Sequence, residues 1–286
     1  MAATAPLPDQ GLFGPGSVTW RVHAHPVMIV GGLRALLIQS LHPHAMAGVA
    51  QHSDYRGDPL RRLRQTARYV ATVTYGDTAQ AREAGARVRR VHRRVHGIDP
   101  VTGTRYSAED PETLLWVHCV EVHSFLAAYR AYGGRVPSRE RDRYLAEQVA
   151  AAELVGIPRE IVPDSTQAYR DYFERMLPRL CTSADTAATI AFVRDPTMPT
   201  TPLPARIALG PAFRLLGRAA VALVPRSLRP IAGLPAPGPG DLPAAAAVAT
   251  AANAVAVALA VPGLRILARA PFAALLGDAA RPVPSR

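Results

Sequence analysis

The stretch VRRVHRRVHG, residues 88–97, sets His92 and His96 four positions apart within a run of arginines. On a helix that spacing puts two side chains on one face. The pair could ligate a metal or a haem iron, or be two imidazoles on a solvated basic surface. All nine histidines lie between positions 23 and 123, which concentrates the commonest transition-metal ligand in one part of the chain. A zinc protease needs a glutamate beside its paired histidines, as in HExxH, but residues 93 and 94 are arginines. A carboxylate di-iron centre needs ExxH pairs, and the sequence has none. Haem asks for less: one neutral imidazole, an apolar slot, and guanidinium groups to meet the propionates. Val88, Val91 and Val95 surround His92 with apolar side chains.

Two other groupings carry chemistry. Arg62 and Thr66, in DPLRRLRQTARYV, stand one helical turn apart. A guanidinium and a hydroxyl so placed could orient dioxygen in a pocket; equally, Thr66 could bond back to a carbonyl and Arg62 form a surface pair. His118 and Glu121 are i, i+3 neighbours in ETLLWVHCVEVHSF. The carboxylate could fix the imidazole tautomer, which keeps His118 as a second candidate axial ligand, or both could belong to a satisfied helix face. His42, His44 and His52 are candidate proton donors or helix caps.

The elements that must position these residues read as helices. An apolar stretch, 27–49, is interrupted by Gly31-Gly32 and Pro43. Asp58-Pro59 opens a helix running to Gly76, and Asp77-Thr78 opens the next, which is expected to continue to Gly97. Residues 99–111 read as a loop, with Ser107 to Asp110 shaped as a capping box before the helix from Glu112 to Gly133. Ser138 is expected to cap one helix ending at Gly156, and a last regular helix follows Ser165. Beyond about residue 195 come the proline-rich connector RDPTMPTTPLP, one or two short packing helices, and the linker LPAPGPGDLP. Alternating β-branched runs are nearly absent, so the fold is expected to be all-α: a helical domain over residues 1–230 and a Pro/Ala-rich tail over 231–286.

Composition limits the partners. The formal net charge is +11 and every basic residue is arginine. The arginines are spread over several helices without a helix-turn-helix or an aromatic stacking platform, so nucleic-acid binding is not expected. Cys119 and Cys181 make no disulfide framework, and MAATAPLPDQGLFGPG lacks a secretory pattern; a cytoplasmic setting follows as the expectation. Residues 244–261 are uncharged but chiefly alanine, a weak insertion signal. That favours a soluble helix, or one making peripheral membrane contact, over a spanning one.

Several short motifs agree on a family. GPGSVTWRV (14–22), GGLRALLIQSLHPHAMAGVAQHS (31–53), DPLRRLRQTARYV (58–70), RVRRVHRRVHG (87–97), RYSAEDPETLLWVHCVEVHSF (105–125) and LVGIPREIVPDS (154–165) occur in order. Together they resemble the MpaB-type and rubber-oxygenase (latex-clearing protein) family of haem-b proteins. The resemblance implies a globin-like helical sandwich around one haem b, with His92 as the iron ligand in a VxxxHxxV helix and His96 one turn on, toward a propionate. It implies that Arg62 and Thr66 line the pocket. The chain departs from the rubber oxygenases at Gln65, where they place a lysine, and around His42 to Met46, where they use an upstream glutamate. These departures argue against isoprene cleavage by the rubber-oxygenase mechanism. The resemblance implies an oxygenase or oxidoreductase using dioxygen or peroxide on a small apolar substrate, isoprenoid, lipid or secondary metabolite. The alternative is a haem-binding sensor or carrier without turnover.

Overall fold

The computed structural model describes residues 9–53, 57, 59–196, 203–236, 238 and 241–260. Asp58, expected to open a helix, most of the 194–204 connector and the tail beyond 260 lie outside the described residues. The chain forms α1 (Val18–His23), α2 (Met28–Gln39), α3 (Pro43–His52), α4 (Pro59–Tyr75), α5 (Thr78–His92), a hairpin of β1 (His96–Ile98) and β2 (Arg105–Ser107), then α6 (Pro111–Ala128). After a π turn at Tyr129–Gly133 come α7 (Ser138–Glu147), α8 (Val149–Leu154), α9 (Thr166–Met176), α10 (Ala184–Arg194), α11 (Leu203–Ala222) and α12 (Asp241–Ala260). The fold is all-α apart from that hairpin, whose antiparallel register pairs Gly97 with Tyr106.

At the centre α2 lies along α6. Gly31 permits the approach: a Cβ there would fall 2.8 Å from Phe125 Cδ1 and 3.1 Å from Phe125 Cα. Trp116, Val120 and Cys119 of α6 are fully buried, with Val30, Ile38 and Leu41 opposite. Burying such side chains contributes roughly 1.5–3 kcal/mol each. Arg34 is buried in the same layer and stitches three elements together. Its Nε donates to Leu223 O (2.9 Å), and its terminal nitrogens reach Ser124 Oγ (2.6 Å) and His123 Nδ1 (3.3 Å). Helices α10 and α11 cover α2 from outside, and α12 rests on α11 and the π turn.

The second layer is the α4–α5 pair. Asp77 caps α5 through Gln80 N, with the reciprocal bond from Gln80 completing a capping box. α4 leans on α1, and α5 on α8. Gly85 allows the latter contact, since a Cβ there would meet Leu154 O at 2.6 Å. α1 is itself anchored from α7: Glu147 accepts from Val18 N (3.2 Å), Thr19 N (2.9 Å) and Thr19 Oγ1 (2.8 Å).

Several expected boundaries move. α5 stops at His92 instead of Gly97, because Val95 turns back to His92 O (2.9 Å) and pairs its carbonyl with Ala108 N (2.8 Å), starting the hairpin. His92 and His96 therefore do not share a helical face. Part of the expected 99–111 loop is β2. The cap of α6 is Asp110, bonded to Thr113 N at 3.0 Å, while Ser107 Oγ serves the Glu109 amide. The 138–156 helix breaks at Gln148, and α7 starts after Pro137 without a side-chain cap. α2 runs straight through Gly31-Gly32. α9 is followed by three further regular helices among the described residues, α10, α11 and α12, with α11 continuous through Pro211. No helix among the described residues is long and apolar enough to cross a membrane.

Candidate active site

Between the two layers lies a partly open cavity of about 200 Å³. α2 contributes Leu36 and Gln39, α3 the segment from His44 to His52, α4 Arg62, α5 Val91 and His92, the hairpin region Val95 and Tyr106, and α6 Leu114 and Val117. The lining is largely aliphatic, with histidines along one edge.

His92 enters this slot from the last position of α5. Its Nδ1 is buried and has no hydrogen-bond partner. Burial lowers its pKa, and the Arg62 charge adds to that effect while Glu109 opposes it. The imidazole is thus held neutral, the form that can donate a lone pair to a metal. Arg62 lines the slot from α4; desolvation lowers its pKa although much of the side chain still meets solvent. Thr66 is exposed one turn further along α4 and does not border the cavity; no bond from its hydroxyl to a helix carbonyl forms among the described residues.

The remaining candidates separate. His96 sits on β1, exposed, with its carbonyl accepting from His52 Nε2 (3.2 Å). It does not line the cavity. His118 lies on α6 one turn beyond Leu114, with Nε2 buried and unpartnered. Burial pushes its pKa down to about 4. His42 caps α3, its Nδ1 accepting from Ala45 N (3.4 Å), and its ring lies 5.9 Å from that of Trp116. His44 Nε2 bonds Thr104 Oγ1 at 2.9 Å. No group of three or more His, Cys, Asp or Glu among the described residues is arranged to hold a metal ion by itself; of the slot's histidines, His92 is the one with a buried ring nitrogen that has no partner.

The sequence reading placed Glu121 only as a partner for His118 and overlooked Tyr69. Glu121 continues the α6 stripe of Leu114, Val117 and His118. It forms no hydrogen bond or ion pair among the described residues, and burial pushes its carboxyl up to about 7. Tyr69 on α4, seven residues past Arg62, is raised above the ordinary phenol range by burial and then by the Glu121 charge. The spacing 114, 117, 118, 121 was the available signal.

The two-layer helical fold thus holds an apolar slot with a histidine at its edge and a guanidinium beside it. The chain belongs to the family described as ER-bound oxygenase mpaB/B'/rubber oxygenase, catalytic domain, whose model matches residues 20–257. Membership makes it an oxygenase-family enzyme and confirms the resemblance read from the motifs. No curated protein and no solved structure matches the chain.

Proposed function

We propose that the protein is a haem-b-dependent oxygenase acting on a small apolar molecule, with His92 as the residue that would hold the iron. The observation that carries this reading is the buried, unpartnered Nδ1 of a neutral His92 on the wall of an aliphatic slot. Native proteins rarely leave a buried polar atom unpaired without a functional reason. The donor set fits haem chemically. The slot of about 200 Å³ is partly open, so a larger planar group would extend beyond it toward solvent.

When bound, haem would supply the redox chemistry with dioxygen or peroxide, and the protein would supply binding and electrostatics. His92 gives a lone pair. Arg62 would offer N–H donors at the slot, and Thr66, one turn on along α4, would add a hydroxyl beside it. Leu36, Val49, Val91 and Leu114 hold the apolar substrate and exclude water.

The test is the absorption spectrum of the purified protein, oxidised and dithionite-reduced under carbon monoxide, beside His92→Ala. A Soret band that is lost or shifted in the variant supports the reading. A wild type that stays colourless after haem addition overturns it. A wild-type band unchanged in the variant transfers the ligand to His118, whose Nε2 is buried without a partner, whereas His96 is exposed on β1.

A further inference from the structure

Three of the residues that line the slot, His52, Arg62 and Val91, are exposed, so its mouth opens between the end of α3, the start of α4 and the end of α5. The hairpin is tied to that mouth: His52 Nε2 donates to His96 O (3.2 Å) and Gln51 Nε2 to Ile98 O (3.0 Å). Its two faces differ. The inner one holds Gly97 opposite Tyr106, which is buried and donates its hydroxyl to Gln51 Oε1 (2.8 Å). Side chains alternate along a strand and cross-strand partners share a face, so the outer face sets Ile98 beside Arg105 and His96 beside Ser107. Ile98 is 60% exposed, Val101 in the turn 48%, and Val91 on the last turn of α5 56%. Three of the six large hydrophobic side chains exposed among the described residues thus fall between positions 91 and 101.

The same stretch is basic. Arg90, Arg93, Arg94 and Arg105 are exposed, and none of them forms an ion pair among the described residues. The carboxylates nearby in the chain offset little of that charge. Asp99 is buried in the turn, where it accepts from Val101 N and Thr102 N, both at 3.1 Å. Glu83 is bonded to Arg87, which leaves Glu109 as the other exposed acid between positions 82 and 109.

A nucleic-acid backbone would meet these arginines and leave the aliphatic groups in water. An anionic bilayer surface suits both. Its phosphates accept paired guanidinium bonds, its negative potential attracts each basic group held near it, and the acyl boundary beneath takes apolar side chains out of water. A lipid surface also accounts for the mouth of an aliphatic slot lying among these residues, since apolar molecules then reach it without crossing water. We propose that the hairpin and the end of α5 form a peripheral docking surface for an anionic lipid bilayer, in which Val91, Ile98 and Val101 enter the acyl boundary and the four arginines meet lipid phosphates. Membrane contact then belongs to the rim of the slot and not to α12, which carries no basic residue.

The experiment is co-sedimentation of the full-length protein with sucrose-loaded vesicles, made either of phosphatidylcholine alone or of an equimolar mixture of phosphatidylcholine and phosphatidylglycerol. Wild type should bind the anionic vesicles and leave the neutral ones. Arg93→Gln with Arg94→Gln should weaken that binding by roughly thirtyfold, at about fivefold per basic group. Ile98→Ser with Val101→Ser should weaken it by about tenfold, and raised salt should then remove the remainder, which is charge attraction alone. Val257→Ser, at a comparably exposed site on α12, should change nothing. All these side chains are exposed, and circular dichroism of each variant checks that the fold is kept. No binding of wild type to the anionic vesicles, equal binding to the neutral ones, variants that bind as wild type does, or a loss with Val257→Ser overturns the proposal. A loss with the arginine pair but not with the aliphatic pair also overturns it, and makes an acidic macromolecule the partner. The readout does not involve haem, so failure of the docking surface and failure of the haem reading are seen separately.

Discussion

Glu121 gives the sharpest quantitative prediction, because its carboxyl has no compensating charge. Burial raises its pKa from 4.5 to about 7 in the folded chain. A rise of that size corresponds to about 3 kcal/mol at 1.36 kcal/mol per unit. The sign follows from linkage. With the folded pKa above the unfolded one, the folded state holds the proton more tightly. The contribution to stability is fully present below pH 4.5 and is lost as pH rises through about 7. Glu121→Gln keeps the shape and removes the titration. The difference in unfolding free energy between variant and wild type should therefore grow by up to ~3 kcal/mol between about pH 5 and pH 8, in the variant's favour. Urea unfolding across that range, followed by circular dichroism, measures it. His23, His118 and His123 are neutral there, their pKa values lowered to about 3, 4 and 3 by burial, and Tyr69 and Tyr144 stay protonated. Groups common to both proteins cancel in the difference. A pH-independent difference would refute the reasoning, for it would mean that water or a cation reaches the carboxylate.

The other predictions test the packing that holds the slot. Gly31→Ala should lower stability by ~1–3 kcal/mol through overpacking against Phe125, read as a lower Tm; an unchanged Tm would contradict the close α2–α6 approach. Gly85→Ala should push α5 away from Leu154 and, because α5 ends in His92, shift the Soret band of haem-loaded protein as well as the Tm; a lower Tm with an unmoved band would separate the packing from the ligand. His123→Asp places a carboxylate beside the buried Arg34, whose neighbours are two neutral oxygens and an imidazole, and should stabilise by ~1.5–3 kcal/mol. Destabilisation there would show that the neutral cradle already satisfies the cation.

The architecture was legible where sequence signals are local and strong. Ser165 caps α9 through Ala168 N, Asp77 and Gln80 close the predicted start of α5, and Gly134 ends the long α6 segment after its π turn. The misread boundaries share a cause: each depends on a partner far away in the chain. Nothing within VRRVHRRVHG stops a helix at His92; the stop comes from Ala108 pairing with Val95. Gly31-Gly32 looked like a break, yet Gly31 is there to admit Phe125, so the same residue that weakens a helix locally tightens a helix pair. The candidate site divides the same way. His92 and Arg62 could be singled out from composition and motif, and they meet at one slot. His96 followed from assuming that helical spacing continued, and the turn after His92 carries it to the outer strand. Glu121 was read with His118 as a satisfied helix face, whereas the His118 Nε2 is buried without a partner. α6 packs chiefly against α2, with α1 and α3 beside it, and no spacing within α6 records which of its side chains those neighbours cover.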